Sequence, residues 1–186
     1  ISIFLIRFNM SRKRIVLGIE SSCDETSVSI VREKPAHEQE ILSNIVNSQI
    51  KLHEKSGGVI PEIAARSHSM VIDKLINQAL LKAKVRLSQV DAVAATAGPG
   101  LLGGLIVGVV AAKTLASVLK KPFIAINHLE GHALSAKLEH QIEYPYLLLL
   151  VSGGHTEFTI IKSFNNYKRI GTTLDDALGE AFDKSA

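Results

Sequence analysis

The 186-residue chain reads as an α/β fold: a mixed five-stranded sheet with helices, followed by the incomplete start of a second, similar lobe. Three observations predict it. Short apolar runs of strand length alternate with longer stretches whose apolar residues recur at helical spacing. An apolar strand, a polar turn and a second strand open the patterned part of the chain, and the same layout returns near residue 146. Finally, Ala92–Ala112 is uncharged for twenty-one residues, long enough to cross a bilayer, but Gly98-Pro99-Gly100 divides it into a buried strand, a loop and a helix.

Taken in order, Ile15–Ile19 is a strand, Glu20–Glu25 (ESSCDE) a small polar turn, and Thr26–Val31 a period-two strand completing a hairpin. A serine-rich turn with outward backbone N–H groups suits phosphate oxygens, and Asp24 or Glu25 can hold a metal-bound phosphate or orient a nucleophile. The plain alternative is a polar hairpin turn. Residues 32–40 read as a charged loop and Ile41–Gln49 as a third antiparallel strand. Pro61 sits near the first position of a helix whose apolar residues, Ile63 to Leu80, run to about Lys82. His53 and His68 have no partner at ligand spacing and read as surface or helix-face residues.

Val90–Ala97 is the next buried strand. Gly98, Gly100 and Gly103 then match GxGxxG, but the following strand, Phe123–Ile126, lacks the acidic residue a dinucleotide fold places there. NAD is therefore excluded, and the glycines are read as permitting a tight turn and close approach of helix 101–119 to the sheet. Asn127–His140 is a helix. After a polar break at Pro145, Tyr146–Val151 reads as a fully buried strand, SGG as a tight turn, and His155–Ile161 as the returning strand. LDDALGEAFDKSA closes as a helix with Leu174, Leu178 and Phe182 on one face and Asp183 off it. The division expected is an extension at 1–14, a first lobe at 15–142 and an incomplete second lobe at 143–186.

Composition sets the limits. A hydrophobic content of 46% supports a packed core, while a formal net charge of +3 is too mild to argue for a nucleic-acid partner. The single Cys23 excludes an internal disulfide framework and fits a reducing compartment, so a cytoplasmic location without membrane attachment is expected. The start is unusual: Ile1 opens the mostly apolar ISIFLIRF, and Met10 before the basic SRKR is a candidate true start. The last residues stop inside a helix pattern, as in a fragment.

The stretch carrying most chemistry is NHLEGH, Asn127 to His132. His128 and His132 are four apart, so a helix places both imidazoles on one face, one turn apart, where they can bind one metal. Glu130 follows the first histidine by two positions rather than one, which moves it away from the water a zinc protease activates. The competing reading makes Asn127 an N-cap and Glu130 the other half of a variant capping box, with the histidines ordinary first-turn residues.

In this order, LGIESSCDET, GGVIPEIAARSH, TAGPGLLGGLIVG, NHLEGH, LLVSGGHTEF and DDALGEAFDK resemble the tRNA adenosine threonylcarbamoyltransferase family, formerly labelled O-sialoglycoprotein endopeptidase, of the actin-like ATPase (ribonuclease H-like) superfamily. The resemblance runs from about Val16 to Ala186. It implies that His128 and His132 are ligands of one divalent metal, iron by family and zinc as the alternative. It also implies that Leu150, Val151, Ser152, Gly153, Gly154 and Asp183 contact threonylcarbamoyl-AMP. Ser22, Asp24 and Glu25 match the family's first phosphate-side turn. The implied reaction transfers threonylcarbamoyl to adenosine 37 of ANN-decoding tRNAs, with a paralogous actin-like subunit and a small ATPase as partners. The family's second lobe continues beyond EAFDK and brings another Asp ligand, an Asn contact and further glycine loops. This chain alone is accordingly expected to be incompetent. The competing class is a non-catalytic fragment or binding partner in the same modification complex. The family's non-catalytic paralogue lacks the histidine pair and the SGGHT turn, and both are present here.

Overall fold

The computed structural model describes residues 13–34, 39–140 and 142–185. Most of the expected extension, Met10 included, lies outside them. The first three strands are β1 (Ile15–Glu20), β2 (Glu25–Glu33) and β3 (Gln39–Ser48), each antiparallel to the next. The short helix α1 (Ile50–His53) and the long α2 (Pro61–Ala83) follow. Pro61 occupies the start of α2, where its missing N–H costs nothing, and Lys84 ends the helix in the left-handed conformation. Then come β4 (Ala92–Gly98), α3 (Leu102–Leu119), β5 (Phe123–Asn127) and α4 (His128–Glu139).

These strands form one sheet in the order β3-β2-β1-β4-β5. The hairpin-linked strands are antiparallel, whereas β4 and β5, each reached through a helix, lie parallel to β1 and to each other. Alternation divides the sheet into two faces. Leu17, Ile19, Val28, Ile30, Val93 and Ala95 form one core with Leu75, Ile76 and Ala79 of α2 and Ala112 and Ala116 of α3. Removing each large aliphatic side chain from water stabilises the fold by roughly 1.5–3 kcal/mol. The other face carries Gly18, Glu20, Ser27, Ser29 and Thr96, which line a shallow open groove.

The uncharged run divides as expected, into β4 and α3. By length and composition α3 is long enough to cross a membrane. In this fold its small-residue side, Gly104, Gly108, Ala112 and Ala116, is buried against the sheet.

A second sheet follows, with order β6-β7-β8 and antiparallel throughout: β6 (Tyr146–Val151), β7 (Thr156–Ser163) and β8 (Asn166–Thr172). Helix α5 (Leu178–Ser185) comes last. Three expectations need correction here. Strand β6 is not fully buried: Leu147, Leu149 and Val151 are exposed on one face. β8 exists where no strand was expected, because NYKRIGT mixes charged and apolar residues without clear alternation. The last helix starts at Leu178, so Leu174 lies outside it and is fully exposed, while Leu178 and Phe182 are exposed rather than packed.

A fourth correction concerns His53 and His68. His68 does sit on a helix face, but the buried one of α2, and His53 is buried at the end of α1, the two joined through Gln49.

Candidate functional site

The parallel strands β1, β4 and β5 end on the same side of the sheet, and loops at the carboxyl ends of parallel strands are where open α/β sheets place ligands. Three elements meet there. Glu20 ends β1, Thr96 lies near the end of β4, and Asn127 ends β5 and caps α4. The cap is explicit: Asn127 Oδ1 accepts from the backbone N–H groups of Leu129 (2.9 Å) and Glu130 (3.3 Å). The second half of the expected capping box does not form. Asn127 is still paired with Gly98 in the sheet, and the Glu130 carboxylate instead accepts the Tyr167 hydroxyl at 2.7 Å, tying α4 to β8. Burial, and then that bond to Glu130, push the Tyr167 phenol up to about 12.

With α4 started at this point, His128 and His132 stand one turn apart with their Nε2 atoms 3.1 Å from each other and their rings nearly perpendicular. Two nitrogens bound at about 2.0–2.1 Å to one tetrahedral ion would lie about 3.3 Å apart, so the pair is close to the spacing of two ligands. Burial and the neighbouring His128 hold the His132 imidazole below its usual range, with His155 adding to the effect. His132 is thus kept neutral, as a ligand requires. Among the described residues no cluster of three or more His, Cys, Asp or Glu makes a ready cage. The donor set fits a divalent ion as two of its ligands.

On its other nitrogen His128 faces oxygen. Glu20 Oε2 is 3.5 Å from Nδ1 and Ser22 Oγ 3.3 Å. Burial alone would raise the Glu20 carboxyl, but hydrogen bonding with His128, Ser22 and Thr96 outweighs it and leaves the group at about 2. Glu20 is therefore ionised at neutral pH. In the sequence it stands only as the first residue of the polar turn; an acid at the carboxyl end of a central parallel strand is the signal that finds it.

The β1–β2 turn is held tightly from below. Leu101 N–H donates to Ser22 O at 2.7 Å and the Ser21 hydroxyl to Gly104 O at 2.9 Å. Of the three glycines read as permitting a tight turn and close approach to the sheet, a Cβ on Gly100 would fall 2.7 Å from Ser22 O of the turn and one on Gly103 2.9 Å from Ala65 of α2, whereas one on Gly98 would have no neighbour within 4 Å. A closer approach is at Gly104, outside that pattern, where a Cβ would fall 2.3 Å from Ser21 O. Asp24 and Glu25 do not join the histidine pair: Glu25 is exposed, and the Asp24 backbone carbonyl accepts from Gln49 N–H at 3.0 Å.

The SGG turn is a second small-residue feature. Ser152 N–H donates to His155 O at 2.8 Å and Ser152 Oγ accepts from His155 N–H at 3.0 Å, closing the turn between β6 and β7. Space above Gly153 and Gly154 is open, whereas Gly179 abuts Ser152 and Gly153 and brings the start of α5 against the turn. Leu150 is buried, Val151 is exposed, and Asp183 is exposed on α5.

Fold and site together define an actin-like, ribonuclease H-like domain that presents paired histidines at its strand carboxyl ends. The fold is shared with YeaZ from Pseudomonas aeruginosa, at a TM-score of 0.55 and 20% identity over 85% of this chain and 65% of that one. Residues 40–186 match the family described as TsaD, tRNA N6-adenosine threonylcarbamoyltransferase. The chain belongs to that family. A tRNA N6-adenosine threonylcarbamoyltransferase of Brucella ovis is 60% identical over 171 residues, and its counterpart in Brucella canis matches equally well. The alignment spans 92% of this chain and 48% of each relative, so the chain spans about half the length of the curated relatives it matches.

Proposed function

We propose that this chain carries the metal-binding histidines of an enzyme that transfers the threonylcarbamoyl group from threonylcarbamoyl-AMP to adenosine 37 of ANN-decoding tRNAs. The observation carrying the proposal is the His128–His132 pair, with Nε2 atoms converging to 3.1 Å in a chain of this family. The two Nε2 atoms would hold one divalent ion, iron in preference to zinc. When bound, such an ion supplies a Lewis acid and positive charge near the phosphate and the carbonyl under attack.

In the transfer, the adenosine N6 amine attacks the carbamoyl carbon. A C–N bond forms, the C–O bond to the phosphate breaks, AMP leaves with the electron pair, and the amine gives up a proton. The chain's own part is binding and orientation. Gly153 and Gly154, with open space where side chains would be, let a phosphate approach the backbone of the turn. Leu150, Val151, Ser152 and Asp183 flank that position as adenylate contacts. Ser22, Asp24 and Glu25 match the family's phosphate-side turn; Ser22 is assigned to the adenylate and the two carboxylates, which stand apart from the histidine pair, to orienting the incoming amine from the turn. A paralogous actin-like subunit and a small ATPase complete the working assembly, in the cytoplasm.

Catalytic metal sites usually take three protein ligands, and the pair supplies two. Residues 1–186 alone are therefore expected to show no turnover when incubated with threonylcarbamoyl-AMP, iron or zinc, and unmodified tRNA. Modified adenosine accumulating beyond one equivalent per chain in that assay would refute the two-ligand account.

A further inference from the structure

We propose that Glu20 is a positioning residue that fixes the tautomer of His128, keeping the proton on Nδ1 so that Nε2 is free to ligate beside His132. The inference rests on the reading of the histidine pair as metal ligands.

Glu20 reaches this role through its place in the sheet. It is the last residue of β1 and points to the groove face, away from the helix-covered core. Both of its oxygens are already engaged. Oε1 accepts from the backbone N–H of Ser22, and Oε2 accepts the Thr96 hydroxyl from the neighbouring parallel strand. A carboxylate anchored on both sides is a poor candidate for swinging out to coordinate an ion itself. It is a good fixed acceptor, and what faces Oε2 at 3.5 Å is His128 Nδ1. Ser22 Oγ lies 3.3 Å from the same nitrogen and, with its own hydroxyl hydrogen turned to Glu20, accepts from it as well.

An imidazole with a carboxylate at one nitrogen keeps its proton there, which leaves the lone pair on the other nitrogen. In His128 that other nitrogen is Nε2, the atom 3.1 Å from His132 Nε2. In the metal-free chain only one proton can lie between the two Nε2 atoms without forcing a clash of donors. With His128 protonated at Nδ1, His132 must supply it. The geometry thus assigns opposite tautomers to the pair: Nδ1–H for His128 and Nε2–H for His132. Outer partners of this kind typically account for about 10–100-fold in metal affinity.

Replacing Glu20 by Gln puts this to a direct test. With its carbonyl kept by the Ser22 N–H, the amide NH2 faces His128 Nδ1 as a donor, and the proton of His128 should move to Nε2. Long-range nitrogen–proton NMR on the 15N-labelled, metal-free 186-residue chain reads both tautomers. The expected spectrum shows Nδ1–H for His128 in the wild type and Nε2–H in Glu20→Gln, with the Zn2+ dissociation constant about 10–100-fold weaker in the variant. A wild-type His128 carrying its proton on Nε2 overturns the proposal without any variant, so a failure of Glu20→Gln to fold leaves it testable. So does a Glu20→Gln protein that keeps the Nδ1–H tautomer and full Zn2+ affinity. Failure of the metal reading looks different: the tautomers are as assigned, but Zn2+ leaves the ring signals of both histidines unmoved.

Discussion

At the scale of single residues, His68 shows how a buried polar group makes stability depend on pH. It is fully buried on the face of α2 turned toward the β1–β2 turn. Its Nε2–H donates to Cys23 O at 3.0 Å, while Nδ1 accepts from the Thr26 hydroxyl at 2.7 Å and the Gln49 amide at 3.3 Å. Every one of these bonds suits the neutral ring, and a second proton would set Nδ1–H against the Gln49 N–H. Burial lowers the His68 imidazole below its ordinary 6.5, despite the Cys23 carbonyl, Glu20 and Asp24 pulling the other way. The unfolded chain then binds the proton more readily than the folded one. This contribution is complete above pH about 6.5 and is lost as pH falls toward the depressed value. The melting temperature should drop between pH 7 and 5, and His68→Gln, though less stable at pH 7, should flatten that slope. An unchanged slope in the variant would show that His68 stays neutral in both states or charged in both. None of this could be read from the sequence, where His68 lacks a partner at any recognisable spacing. Its partners come from β2, the β1–β2 turn and the segment before α1, brought together only by folding. His128 and His132 were legible because their partner is one helical turn away.

At the scale of elements, local pattern located most of the first sheet and its helices. Pro61, the glycines after β4 and the Asn127 cap mark helix starts through backbone chemistry that does not depend on the rest of the fold. β8 and the start of α5 were missed because their support is tertiary: β8 is held by pairing with β7, and Leu178 N–H by the Thr156 hydroxyl. Helix α3 packs closely on the first turn. Gly104→Ala would put a methyl carbon 2.3 Å from Ser21 O and close to the buried His68 ring. Neither backbone nor ring can yield freely, so a loss of about 1–3 kcal/mol is expected, as for overpacked cores generally. Urea unfolding of the variant measures it, and an unchanged midpoint would mean that α3 can slide away from the turn at no cost.

At the scale of the whole molecule, the two sheets meet through α4. Tyr146 donates to Ala133 O at 2.6 Å, Tyr167 donates to Glu130, and Lys137 lies 4.2 Å from the Tyr144 ring centre. The same helix that carries the histidines is therefore the joint between the sheets, and His155, which closes the SGG turn, acts electrostatically on His132. The likeness of the two strand–turn–strand layouts was visible in the sequence because both use short polar turns between apolar runs. The convergence of Glu20 and Ser22 on His128, with Thr96 holding Glu20, was not, since it depends on the parallel register of β1, β4 and β5.

The central claim is that His128 and His132 jointly bind one metal ion. Anaerobic calorimetric titration of the 186-residue chain with Fe2+, repeated with Zn2+, tests it most directly. One ion per chain is predicted for the wild type, with binding lost in His128→Ala and in His132→Ala while both variants keep the wild-type far-ultraviolet circular dichroism. Undiminished one-to-one binding in either variant, or no binding by a folded wild type, would contradict the account.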